Sequence, residues 1–212
     1  MSTYDLEEQE QIAELKAWWK EHGGRVLAAT TLVLAAFAAW NGWMWYQRSQ
    51  ASQAAVLYDA LQKAALANDL KATRDAAGAI VENFPRTAYA PLAALVSAKV
   101  QFQAGDLKTA RAQLEWVVEN AGNDDIQAIA RLRLSSVLLD DKDPDAALKV
   151  LDTTPRPGFE AQYASQRGDV LMSQNKLADA RAEYKTALAK TGPADNALRE
   201  ALRLKLDALG ES

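Results

Sequence analysis

Twenty-one consecutive residues, Val26 to Tyr46, carry no formal charge, and Arg25 and Arg48 bracket them. As a helix rising 1.5 Å per residue, a run of that length reaches about 30 Å, the hydrocarbon thickness of a bilayer. It divides the chain into a stub of residues 1–25, a membrane-spanning helix over 26–46 and a larger polar portion over 47–212. Whatever the polar portion does, it does while tethered to a membrane surface.

Five of the six tryptophans flank this run: Trp18 and Trp19 before it, Trp40, Trp43 and Trp45 at its far end beside Tyr46. Indole is apolar with one N–H to satisfy, so it gathers at the headgroup boundary. A buried helix of a soluble protein is the first rival reading, but such helices are usually shorter or carry a polar stripe. A cleaved secretory signal is the second, because Ala36-Phe37-Ala38 fits the small-x-small rule. Against it, the preceding region is long and holds six acids, where a signal peptide has a short basic start. An uncleaved anchor fits better. Lys16, Lys20 and Arg25 lie close on the N-terminal side, against Arg48 alone on the other. The positive-inside rule then puts the N-terminus in the cytoplasm and the large portion outside. Along the span, Ala28, Thr31, Ala35, Ala39 and Gly42 form one small-residue face, a geometry that lets membrane helices pack closely.

Beyond Tyr46 the chain carries 21 basic and 22 acidic side chains, too balanced for a nucleic-acid surface. There is no cysteine, which removes disulfides, thiolate catalysis and cysteine-ligated metal. The single histidine, His22, precedes the span, so the large portion has no imidazole for acid–base work or zinc binding. No phosphate-cradling glycine loop or nucleophile elbow occurs. No catalytic, cofactor-binding or metal-binding residues are assigned, and the chain does not read as an enzyme. A hydrolase built on carboxylates alone is the residual alternative, though the acids form no obvious facing pair.

The large portion is rich in Ala, Leu, Gln and Lys, which predicts an all-α fold. Breaks fall at Asn83-Phe84-Pro85, Gly105-Asp106, Gly122-Asn123, Asp143-Pro144, Pro155-Arg156-Pro157-Gly158, Asn175 and Gly192-Pro193. Gly105-Asp106-Leu107 leads to Ala110, then Leu114 and Val117; Asp143-Pro144 leads to Ala147 and Leu151; Asn175-Lys176-Leu177 leads to Ala180, Tyr184 and Ala187. The alanines stand 37 and 33 residues apart, bracketing the tetratricopeptide period. A small residue lets two helices of a pair meet, and the large residue a turn later fills the next groove. A degenerate earlier unit of uncertain register occupies residues 51–86. Leu198, Leu202, Leu206 and Leu209 share a face on a closing helix that caps the α-solenoid. A generic helical bundle is the rival architecture. Pro91 suits the first turn of a helix, with Tyr89 packing over the junction before it.

In the stub, Ile12, Leu15 and Trp19 share a face while the acids come early, which predicts an amphipathic helix. Gly23-Gly24 is expected to separate that helix from the span. It would lie along the interface, dock on a partner, or simply be solvated.

Taken in order, Glu7-Glu8-Gln9-Glu10-Gln11, Leu15-Lys16-Ala17-Trp18-Trp19-Lys20, a glycine pair and one span resemble the YfgM family of Gram-negative bacteria. The Phe84-Pro85 to Leu92 junction, the Arg167-Gly168-Asp169 turn and the closing Leu204-Lys205-Leu206-Asp207-Ala208-Leu209 are similar too. The resemblance implies a single-pass inner-membrane protein with a periplasmic tetratricopeptide-like domain. It also implies association with Sec translocon subunits and with a membrane-anchored periplasmic chaperone, in an ancillary hand-over of emerging proteins. Unfolded client proteins are a further partner class. It offers no catalytic motif.

Stacked helix pairs present a surface that holds an extended peptide or a partner helix. Candidate contacts lie on the first helix of a pair: Lys99 and Gln103 in one unit, Asp169 and Ser173 in another. The alternative function is a scaffold or assembly protein of another envelope machine, such as a pilus or cell-wall complex, on the same architecture.

Overall fold

The computed structural model describes the backbone of residues 3–210 and the side chains of residues 10–210. The early acids of the stub and the termini therefore lie outside the described residues. Among the described residues the regular structure is helical: α1 (Thr3–Leu66), α2 (Leu70–Asn83), α3 (Tyr89–Gln103), α4 (Leu107–Asn120), α5 (Asp124–Asp140), α6 (Pro144–Leu151), α7 (Glu160–Ser173), α8 (Leu177–Lys190) and α9 (Asn196–Ala208). The chain divides into two compact units, Met1–Gln50 and Ala51–Ser212.

In the first unit the expected break at Gly23-Gly24 does not occur. The helix runs straight through both glycines. Each glycine costs a helix up to about 1 kcal/mol, but it keeps its N–H and C=O, so the hydrogen-bond ladder continues. Gly23 has a packing reason as well, because a Cβ there would stand 3.1 Å from the Trp19 indole. The indole lies over the helix where a side chain would otherwise be. One residue earlier, the Trp18 ring stacks on His22 at 5.3 Å and 12°.

This helix is the one among the described residues long and apolar enough to cross a membrane; its apolar window has a mean hydropathy of 1.5 and none of it is buried. Leu32, Phe37 and Trp40 are 72%, 65% and 65% exposed, apolar surface that only lipid or a partner would cover. Two polar side chains inside the run are satisfied within the helix. Thr31 Oγ1 donates to the Leu27 carbonyl at 2.8 Å, and Asn41 Nδ2 to that of Phe37 at 2.9 Å. Hydrocarbon demands that internal satisfaction.

The second unit is a stack of helix pairs closed by α9. The turn inside each pair has the same construction: a residue in the left-handed region, then the helix N-cap. The left-handed residues are Asn68, Gly105, Lys142 and Asn175, with φ of 52°, 82°, 63° and 59°. Asp69, Asp106 and Asp143 follow three of them, and their carboxylates accept from the N–H of Ala72, Thr109 and Ala146. Each satisfies one of the orphan donors of a helix start.

These turns fix the register of the degenerate first unit. Counting from them, Thr73 stands where Ala110, Ala147 and Ala180 stand later, and all four are 0% exposed. The alanine signal is missing there because a threonine fills the slot. Leu114, Val117, Leu151, Tyr184 and Ala187 are buried as the spacing predicts. Leu61 of α1 packs with Ala77 and Ile80 of α2 and Ala90 and Ala93 of α3, while Tyr58 and Tyr89 meet at 5.4 Å. Leu202 and Leu206 are buried against Ala180, Tyr184 and Ala187, with Leu198 and Leu209 packed beside them, so α9 is the expected cap.

Candidate functional site

Within the second unit, α3 touches α5 and α5 touches α7, so the first helices of successive pairs lie side by side. Helices meeting at an angle leave grooves between their ridges. One groove is lined by Lys99 and Phe102 of α3, Leu114 of α4, and Arg133, Ser136 and Val137 of α5, and encloses about 330 Å³. A second, of about 270 Å³, is lined by Leu132, Arg133 and Ser136 of α5, Gln162 and Gln166 of α7, and Leu198 of α9. Arg133 and Ser136 belong to both, so the two grooves adjoin along α5.

Its walls are apolar and cationic. Arg111 holds Glu115, Arg156 holds Asp124 and Asp125, and Arg167 holds Glu183 in ion pairs. Among the described residues Lys99 and Arg133 hold no carboxylate, and no carboxylate lines either groove. Towards α7 the wall turns polar: Gln166 Nε2 donates to Ser136 Oγ at 3.1 Å. Gln162 Oε1 is buried there without a hydrogen-bond partner.

Of the residues singled out from sequence, Lys99 lines the groove. Gln103 is exposed one turn further along α3. Ser173 is exposed on α7, its hydroxyl donating to the Val170 carbonyl at 2.6 Å. Asp169 sits at the joint between the last pair and the cap. Its Oδ1 accepts from Tyr184 at 2.8 Å and from Lys205 at 2.6 Å, and Lys205 reaches Oδ2 at 2.8 Å. Burial pushes the Tyr184 hydroxyl well above its ordinary value, and the bond to Asp169 and that carboxylate's charge add to the shift. Gly168 is what lets this ring in, since a Cβ there would come within 2.4 Å of it. In the first unit Ala28, Thr31, Ala35, Ala39 and Gly42 are all exposed, along one side of α1. Arg133 was not singled out from sequence; it stands about one turn before Ser136 on α5, and the two line both grooves.

A family model described as a tetratricopeptide repeat-like domain matches residues 16–211. The chain is 36% identical over 208 residues to the ancillary SecYEG translocon subunit of Neisseria gonorrhoeae, covering 96% of this chain and 98% of that one. It is 30% identical to the protein of that name from Haemophilus influenzae, over 87% of this chain and 90% of the relative. For the Escherichia coli protein the figures are 27%, 95% and 96%.

The chain belongs to the YfgM family.

For a YfgM-family chain the match begins at Lys16, ahead of the span, and runs almost to the end. The shared pattern therefore includes the apolar helix, all the pairs and the cap, rather than the repeats alone. Groove and cap joint both lie inside the matched region.

Proposed function

We propose that this chain is a membrane-tethered interaction subunit of the Sec translocon, which helps pass emerging polypeptides to periplasmic chaperones. The observation that carries the reading is full-length similarity to proteins named as ancillary SecYEG translocon subunits, joined to an unfilled groove on the repeat portion. The span is the anchor: residues 1–25 lie in the cytoplasm, 26–46 cross the inner membrane and 47–212 stand in the periplasm. The lysine and arginine bias around the span supports that orientation. Tethering raises the local concentration of the groove beside the channel, so weak contacts suffice. The work is binding rather than chemistry. Lys99 and Gln103 contact partners or clients, while Ser173 marks the far edge of the same face; Asp169 supports that face by holding the cap. The face of Ala28, Thr31, Ala35, Ala39 and Gly42 packs against another membrane helix, because small side chains permit close backbone approach.

In-cell photocrosslinking tests this reading. A photoreactive residue at Ala35 is expected to capture translocon subunits, and one at Lys99 a periplasmic chaperone or exported proteins. Capture of pilus or murein-synthesis proteins from both positions, with no translocon subunit, would favour a scaffold of another envelope machine.

A further inference from the structure

We propose that the groove across α3, α5 and α7 recognises extended polypeptide segments in which an acidic residue stands beside an apolar one. This deepens the reading of the groove as an interaction site and rests on it. Three features of the walls set the chemistry. Lys99 and Arg133 face the same 330 Å³ space, and no carboxylate lines it. Elsewhere on the unit, Arg111, Arg156 and Arg167 are neutralised within the fold. An aliphatic and aromatic floor of Ala98, Phe102, Leu114 and Val137 lies beside the two cations. A space at the lower end of ligand-pocket sizes takes apolar side chains rather than a whole cofactor. The adjoining groove beside α7, lined by Ser136, Gln162 and Gln166, gives the chain on either side of those contacts polar walls. Carboxylate between the cations and apolar side chain on the floor describe one segment of an extended chain.

The test uses the full chain in zwitterionic phosphatidylcholine nanodiscs and fluorescent peptides whose centre is leucine–glutamate–phenylalanine, leucine–glutamine–phenylalanine or leucine–lysine–phenylalanine. Anisotropy is expected to give roughly tenfold tighter binding of the glutamate peptide than of the glutamine one, and weakest binding of the lysine one. That advantage is expected to shrink as salt rises from about 50 to about 300 mM, because partly exposed charges are screened. K99Q/R133Q should abolish the glutamate preference while leaving the thermal transition unchanged; K108Q, off the groove, should alter neither. F102A should weaken all three peptides. Equal affinity for glutamate and glutamine peptides would overturn the proposal, as would a preference that survives K99Q/R133Q. So would binding of phosphatidylglycerol vesicles, lost in K99Q/R133Q, without any peptide binding: that result assigns the cations to a lipid headgroup. Crosslinking from Ala35 in cells separates the two failures. If translocon capture persists when peptide selectivity fails, only the groove chemistry is wrong; if capture is absent, the functional reading falls with it.

Discussion

Gly168 and Tyr184 meet closely where α7 packs on α8. A methyl group added at Gly168 would meet the tyrosine ring at 2.4 Å, and the ring, 2% exposed, has nowhere to retreat. Gly168→Ala is therefore expected to cost about 2 kcal/mol or more by overpacking, measured by urea denaturation. Tyr184 also sets an alkaline limit. In the unfolded chain its phenol ionises near 10.0, whereas burial and Asp169 keep it protonated to higher pH in the fold. Above pH 10 the unfolded chain gives up a proton that the folded chain retains, so stability present below that pH is lost as pH rises. Tyr184→Phe keeps the ring and should flatten the loss, which thermal melts between neutral and strongly alkaline pH would reveal. Neither effect was legible in sequence. Arg167-Gly168-Asp169 read as a turn from sequence, whereas these residues lie inside α7, and the contacts of Gly168 and Asp169 with Tyr184 and Lys205 arise only when α7, α8 and α9 pack.

Elements were more legible, because each pair carries its own punctuation. Gly105-Asp106 and Asn175 announced turns, and both proved to be left-handed residues ahead of a helix start. The corresponding Lys142 went unnoticed because lysine has no preference for positive φ; at 63° it stores strain that glycine would not. Lys142→Gly is expected to stabilise the fold by roughly 0.5–1 kcal/mol, read as a higher urea midpoint with unchanged slope. Asp143 next to it caps α6, the shortest helix, of 8 residues. Asp143→Ala should cost about 1 kcal/mol in the same measurement. The first pair hid its register because Thr73 occupies the alanine slot. The glycine pair at Gly23-Gly24 misled in the other direction: local propensity argues for a break, but glycine retains both backbone hydrogen-bonding groups and Trp19 exploits the missing side chain. Half of the groove was legible. Lys99 fell on the predicted face, whereas Arg133 gained meaning only from the approach of α3 to α5, which no local pattern encodes.

For the molecule as a whole, the proposed arrangement has one apolar helix holding a groove-bearing helical stack on the outer side of the inner membrane. The absence of any native cysteine makes the decisive measurement clean, since a single introduced thiol is the only one present. Gln11→Cys lies in the stub and Lys108→Cys on α4; both positions are exposed. Intact spheroplasts would be treated with a membrane-impermeant maleimide before and after lysis. Labelling of Lys108→Cys in intact spheroplasts, with Gln11→Cys labelled only after lysis, is the predicted result. Labelling of Gln11→Cys alone before lysis, or recovery of the chain in the soluble fraction, would contradict it.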